Sequence, residues 1–387
     1  MLFKRCLFDI LNLFRPQKSS RNQIISILPE TSPKGKVLLS YIIDGFFFDS
    51  ETQIPKTHTN IWQTVKMAEI FLEFGYEVEV IHYTNTSFVP SGNYTFFLDV
   101  RHNMQRLSPY INHECIKIMH LDTANILFHN AAESARLLQL QQRRGATLRP
   151  RRFELPNLGL EHADFGTTTG NDFVVSSFKH ANKKIFKLPS PCGIDFDFPE
   201  RDWEKARKQF LWFSSTGAVH KGLDLALEAF KEMPDQQLFV CTSLKWDHDF
   251  VQAYHHELHE TPNIHTIGWV DIDGSQFKEI IRKCGSILHF SCSEGGAPSI
   301  KVCMHAGLIP VISYESGVDV DDFGFLLREC TIDNIIKTIR HIASLSESEL
   351  QQKSLKTWQY ANQNYTRKKF ETEFRKIIQK IITEHDL

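Results

Sequence analysis

The chain has 387 residues, a formal net charge of -2 at pH 7, 42% hydrophobic residues and 23% charged residues. That length suits two domains, and that composition is ordinary for a globular chain with a full core. The near-neutral balance excludes a generic nucleic-acid binder, which is basic overall, and the sequence has no run of about 18 apolar residues to span a membrane. The eight cysteines include no CxxC pair and several sit in apolar runs, so they read as reduced core thiols of a cytoplasmic protein.

In chain order, MLFKRCLFDILNLFRPQKSSR (1–21) carries Lys4, Arg5, Arg15, Lys18 and Arg21 against Asp9, with Phe3, Leu7, Ile10 and Phe14 at helical spacing. It lacks the small-residue cleavage site of a secretory signal. It reads either as an interfacial helix on anionic lipid or as a helix packed on the protein's own surface. KVLLSYIID (36–44) predicts a buried strand. A helix is predicted over 58–75, with Ile61, Val65, Ala68 and Leu72 on one face and Gly75 as its cap. Strands follow at 77–83, 94–100 and 115–121, then a long helix over 126–145 ending on glycine. RRGATLRPRR (143–152) holds five arginines. It is either a solvated loop or a contact for lipid headgroups and the phosphates of a lipid-linked acceptor.

The pattern restarts with a strand at 208–214, a helix at 221–233, and strands at 237–243, 263–270, 286–292 and 309–314. Strands alternating with helices predict parallel sheets covered on both faces. The join falls near LPSPCGIDFDFPE (188–200), where prolines and a glycine break the periodicity. Two helical stripes close the chain, Ile332 to Ile342 and Phe370 to Ile381. The expected fold is α/β, with two Rossmann-like halves. The expected boundaries are 1–35 for a basic extension, 36–190 and 191–365 for the halves, and 366–387 for a closing helix.

Two segments carry chemistry. SSTGAVHKGLDLALEAF (214–230) passes from a strand end through Ser215, Thr216 and Gly217 to a helix opened by Lys221 and Gly222. Loop amides and the positive end of a helix favour an anion, and a lysine there adds a full charge. The spacing is not that of a Walker loop, which leaves a diphosphate cradle or a surface turn with a solvated lysine. SILHFSCSEGGAPSIKVCMHAG (286–307) repeats the plan, with Ser293, Glu294, Gly295 and Gly296 at the carboxyl edge of the sheet. Open α/β sheets bind ligands there. The glycines permit close backbone approach, and a carboxylate can accept hydrogen bonds from sugar hydroxyls. The plainer reading of Glu294 is that it complements a helix dipole.

Together these segments resemble the second half of the retaining GT-B glycosyltransferases, the large family 4 group. The match rests on Lys221-Gly222, Leu227-Glu228-Ala229-Phe230, Ser291, Glu294-Gly295 and Gly307-Leu308-Ile309-Pro310-Val311-Ile312, with looser likeness at 188–200 and 314–327. It covers 185–385 well and 36–180 only as an order of elements. The segment SSTGAVHKGLDL is similar to a branch found among bacterial envelope-polysaccharide enzymes. The resemblance implies a GT-B fold and transfer of a sugar from a nucleoside-diphosphate donor to a glycan or lipid-linked acceptor. It implies no metal and no cofactor.

Under that resemblance Lys221 neutralises the diphosphate and Glu294 orients the donor sugar. Ser215, Thr216, Gly217, Gly222, Ser293, Gly295 and Gly296 line the donor. One histidine of the first half stands near the sugar, with His120 the first choice and His58 the second. The chain departs from the pattern twice. Val302 stands where the family has a second glutamate, which usually holds the ribose, and no arginine accompanies Lys221 in its loop. A non-catalytic sugar- or partner-binding relative and a nucleotide-sugar epimerase are the alternatives. Residues 1–21 and 143–152 are the expected contacts to an anionic membrane surface, at the inner face of which the protein would sit peripherally. HHELHE (255–260) lacks a third zinc ligand and reads as surface histidines, and Asp319-x-Asp321 falls in a loop.

Overall fold

The computed structural model describes residues 20–387. The basic helix expected at the N-terminus lies almost wholly outside them.

The first sheet has seven strands in the order β1-β3-β2-β4-β5-β6-β7. They are β1 (Ile24–Ile27), β2 (Lys36–Tyr41), β3 (Glu77–His82), β4 (Phe96–Asp99), β5 (Ile116–Leu121), β6 (Phe165–Thr168) and β7 (Lys184–Lys187). All neighbours are parallel except β1, which pairs antiparallel with β3. The central strands are buried nearly throughout, as parallel strands covered on both faces must be. Helix α1 (Thr59–Glu73) covers one face, while α2 (Asn103–Leu107) and α4 (Asp172–Ser177) belong to the other. Between them in the chain, α3 (Ile126–Arg144) opens on an Asn125 cap that accepts from the amides of Leu127 and Phe128. It closes on Gly145 at a φ of 69°, where a side chain would be strained. The lower half of α3 leaves the first sheet, since Leu140 is buried in the core of the second.

The second half opens with α5 (Trp203–Ala206) and builds a six-stranded sheet, all parallel, in the order β10-β9-β8-β11-β12-β13. Its strands are β8 (Gln209–Phe213), β9 (Gln237–Cys241), β10 (Ile264–Thr266), β11 (Ser286–His289), β12 (Ile309–Ser313) and β13 (Phe325–Leu327). Helices α6 (Leu223–Lys231), α8 (His255–His259) and α11 (Ile332–Ser344) pack on one face, with α7 (His248–Ala253) beside them. Helices α9 (Ser275–Lys283), α10 (Pro298–His305) and α12 (Glu347–Asn364) pack on the other. The strand expected over 263–270 shortens to β10, because Gly268 turns the chain at a φ of 89° and Trp269 stands 56% exposed.

The last helix, α13 (Arg367–Glu384), lies on the first sheet. Its Phe370, Phe374, Ile378 and Ile381 share a core with Trp62, Val65 and Phe71 of α1. The chain therefore ends by packing on the half it began. Phe374 is fully buried and its ring lies 6.1 Å from that of Phe71. Phe374→Ala is expected to cost about 3–5 kcal/mol, read as a lowered urea midpoint.

Candidate functional site

Strands β8 and β11 are direct neighbours, with Phe210 opposite Ser286. From β8 the chain crosses to β9 and β10, and from β11 it crosses the other way to β12 and β13. The strand order reverses here, the place where open α/β sheets bind ligands, and the two outgoing loops meet: the Cys292 amide donates to the His220 carbonyl at 2.9 Å, and His220 Nε2 donates to the Ser293 carbonyl at 2.6 Å. Lys221 follows β8 and Glu294 follows β11, so this switch point brings together two residues 73 positions apart.

Lys221 Nζ lies 3.6 Å from Glu294 Oε1, with the side chains 8% and 11% exposed. Nζ also donates to Ser215 Oγ at 3.2 Å. Burial pushes the Glu294 carboxyl up, but Lys221 first, then His289, His220 and Arg152, hold it down at about 2. Burial lowers the Lys221 ammonium, and Glu294 offsets part of that. A buried ion pair is weak evidence of stabilisation, because desolvation offsets the attraction. Strongly perturbed groups mark a functional candidate.

The flanking small residues have definite neighbours. Gly217 is buried at a φ of 96°, beside exposed Ser215 and half-buried Thr216. Gly222 has a φ of 75°, and a Cβ there would meet the Phe290 carbonyl oxygen at 2.5 Å. A Cβ on Gly295 would meet the Asp122 carbonyl oxygen at 2.1 Å, and one on Gly296 would meet that of Thr169 at 2.7 Å. Asp122 and Thr169 directly follow β5 and β6. The close approach these two glycines permit here is thus to the first domain's backbone. Ser293 is fully buried; its Oγ lies 3.1 Å from His129 Nδ1, and its carbonyl accepts from His220 Nε2 at 2.6 Å.

His120 is not brought to this cluster. It is 1% exposed, with Nδ1 2.9 Å from Thr167 Oγ1 and Nε2 3.1 Å from Gln63 Nε2. Burial lowers it to about 4, so it is a neutral core histidine with both ring nitrogens engaged. His58 is exposed at the start of α1.

Three other histidines surround the pair. His129, from α3, donates Nε2–H to the Arg152 carbonyl at 2.7 Å, which leaves Nδ1 to accept from Ser293 Oγ or from Thr123 Oγ1 at 3.0 Å. His220 sits with Nδ1 3.7 Å from Glu133 Oε2. Burial disfavours its imidazolium, but the Cys292 sulfur and the Glu133 carboxylate outweigh this and raise it to about 9. His289 Nε2 is buried 3.8 Å from Glu294 Oε1 without a hydrogen-bond partner among the described residues. A histidine directly before Lys221 was a visible signal for His220. Nothing in the spacing of α3 pointed to His129.

Three of the five arginines of 143–152 are ion-paired within the protein. Arg143 pairs with Asp224 at 2.7 Å and Glu228 at 3.0 Å, Arg144 with Glu257 at 2.7 Å, and Arg151 with Asp249 at 2.5 Å. The charge of these three is met by the second half of this chain, while Arg149 and Arg152 make no ion pair among the described residues. Val302 is 6% exposed and packs in the apolar cluster of α9, α10 and β12. His256 and His255 pair with exposed Glu260, and Asp319 accepts from Asn171 Nδ2 at 3.0 Å. A cleft of about 560 Å³ opens beside Cys292, between α3 and the turn from β13 into α11.

No family model matches the chain, and no curated protein matches it by sequence. Solved structures do match. Sucrose-phosphate synthase from Thermosynechococcus elongatus aligns at a TM-score of 0.61 and 11% identity, over 92% of this chain and 100% of that one. WaaG, a glycosyltransferase involved in lipopolysaccharide biosynthesis, aligns at 0.54 and 12% identity, over 89% and 99%. HepE from Anabaena, in complex with UDP and glucose, aligns at 0.53 and 13% identity, over 90% and 100%. Likeness at such identities establishes the fold: the chain has the GT-B architecture of two Rossmann-like domains.

Two outcomes follow from the site. Val302→Glu places a carboxylate in an apolar cluster and is expected to lower the melting temperature, at a cost of several kcal/mol, without any gain in nucleotide affinity. The stability contributed by His220 is full below its ordinary value of 6.5 and is lost as pH rises through about 9. Wild type should therefore exceed His220→Gln in urea midpoint near neutrality, and the difference should shrink in alkali.

Proposed function

We propose that the chain is a retaining glycosyltransferase that moves a sugar from a nucleoside-diphosphate donor to a glycan or lipid-linked acceptor. The observation that carries this reading is the Lys221–Glu294 pair at the switch point of the second GT-B domain. The named neighbours support it: one was solved with UDP and glucose, and another acts in lipopolysaccharide biosynthesis. The latter, with the sequence branch, favours a role in envelope polysaccharide synthesis.

In this reading the donor's diphosphate draws the Lys221 ammonium from Glu294, and the freed carboxylate accepts a hydrogen bond from a sugar hydroxyl. The anomeric carbon–phosphate oxygen bond breaks, the acceptor oxygen bonds the same face, and the acceptor's proton passes to the departing diphosphate. The protein supplies position and charge stabilisation, and no side chain becomes covalently attached. No helix among the described residues is long and apolar enough to cross a membrane. Contact with a lipid-linked acceptor would run through the basic residues 1–21.

Val302 in an apolar cluster favours one rival, a non-catalytic relative that binds a sugar or a partner protein. Incubation of the purified chain with a panel of nucleotide sugars decides between them. Slow release of the sugar from one donor, reduced about 100-fold or more in Lys221→Ala and in Glu294→Gln, is the expected result. Binding without turnover, or turnover indifferent to both changes, contradicts the proposal.

A further inference from the structure

The loop that holds Lys221 contains no arginine, yet one lies on it from the other domain. Arg152 belongs to the strap that follows α3. Its aliphatic stem crosses Gly217: a Cβ at that position would fall 2.7 Å from Arg152 Cγ and 3.0 Å from Cδ. Its backbone is held on both sides. The amide donates to Glu133 Oε1 and Oε2, each at 3.1 Å, and the carbonyl accepts from His129 Nε2 at 2.7 Å. Glu133 in turn faces His220, the residue before Lys221.

The guanidinium differs from that of Arg151 before it and from those of Arg143 and Arg144 at the end of α3. Arg143, Arg144 and Arg151 are all ion-paired. Arg152 makes no ion pair among the described residues, and its Nε is buried without a hydrogen-bond partner. It is near enough to act on both members of the central pair, lowering Lys221 and Glu294 alike. Around Glu294 there are thus two cations, Lys221 and Arg152, for one carboxylate, while His220 is matched by Glu133. Arg151 has two carboxylates, Asp247 at 3.2 Å and Asp249 at 2.5 Å, so the wider cluster is balanced in charge, and what points at an anion is the Arg152 guanidinium, left without a partner of its own.

We propose that Arg152 of the first domain supplies the second cation for the donor's diphosphate, so that the anion is gripped across the domain interface by Lys221 from one side and Arg152 from the other. This rests on the glycosyltransferase reading of the same site. Neither domain alone holds both charges.

The test is calorimetric titration of the full chain with UDP, GDP, ADP, CDP and dTDP and with the corresponding monophosphates. Arg152→Gln, which keeps the stem on Gly217 and removes the charge, is expected to weaken the preferred diphosphate about 10- to 100-fold. The matching monophosphate should change less than about threefold, since it lacks the second phosphate that the two cations grip together. Arg152→Lys should recover part of the loss. If Lys221→Ala weakens the diphosphate while Arg152→Gln binds as wild type does, the inference fails and the site reading stands. Equal loss for mono- and diphosphate in Arg152→Gln also overturns it, because that is the mark of a merely structural arginine. If the wild type binds no nucleoside diphosphate, the site reading itself fails.

Discussion

A lysine and a glutamate buried together at the reversal point of a parallel sheet are what the rest of this structure arranges itself around. The pair exists because β8 and β11 are adjacent although the chain visits β9 and β10 between them. Each strand must end at the same level and hand over to a loop short enough to turn inward. Gly222 is needed for this, because a side chain there would strike the Phe290 backbone leaving β11. Lys221 and Glu294 compensate each other's burial, and a second pair, His220 with Glu133, lies directly behind them. Such a polar centre is poor as a stabiliser and makes sense as a place where a charged ligand exchanges one partner for another.

The same centre is also the seam between the domains. Gly295 and Gly296 approach the backbone after β5 and β6 so closely that no side chain fits. Lys301, 2% exposed, donates to the Thr169 carbonyl at 2.9 Å across the seam, and the Asn171 amide donates to the Gly317 carbonyl at 3.2 Å. On the other side α3 carries Leu140 into the second core and fastens its last turn through Arg143 and Arg144. The domains therefore meet through backbone at the strand ends and through ion pairs along one helix. α13, returning to the first core, ties them a third time. A site whose charges come from both sides of that seam exists only where the domains meet.

Much of this was legible in the sequence, for identifiable reasons. The central strands are continuous apolar runs and the long helices have one apolar face, so period and length declared them. β1, β6, β7 and β13 went unseen because they are three to four residues long and FGTT or KIFK carries no strong pattern. Lys221 and Glu294 were visible because each sits just past a strand, in a small-residue loop opening a helix. His129, Arg152 and Glu133 were not, because their place depends on α3 crossing to the other domain, a tertiary fact with no local signature. His120 was favoured as a histidine ending a strand, and the fold turned it into the core against Gln63 and Thr167. The partners of Arg143 and Arg144 have no local signature, because Asp224 and Glu257 lie 81 and 113 residues away in sequence.

The most direct measurement is a crystal structure with a nucleoside-diphosphate sugar bound. The account predicts that Lys221 Nζ leaves Glu294 for a diphosphate oxygen while the Glu294 carboxylate turns to a hydroxyl of the sugar. A bound ligand that leaves the two side chains still paired with each other, or that lies away from the carboxyl ends of β8 and β11, would contradict it.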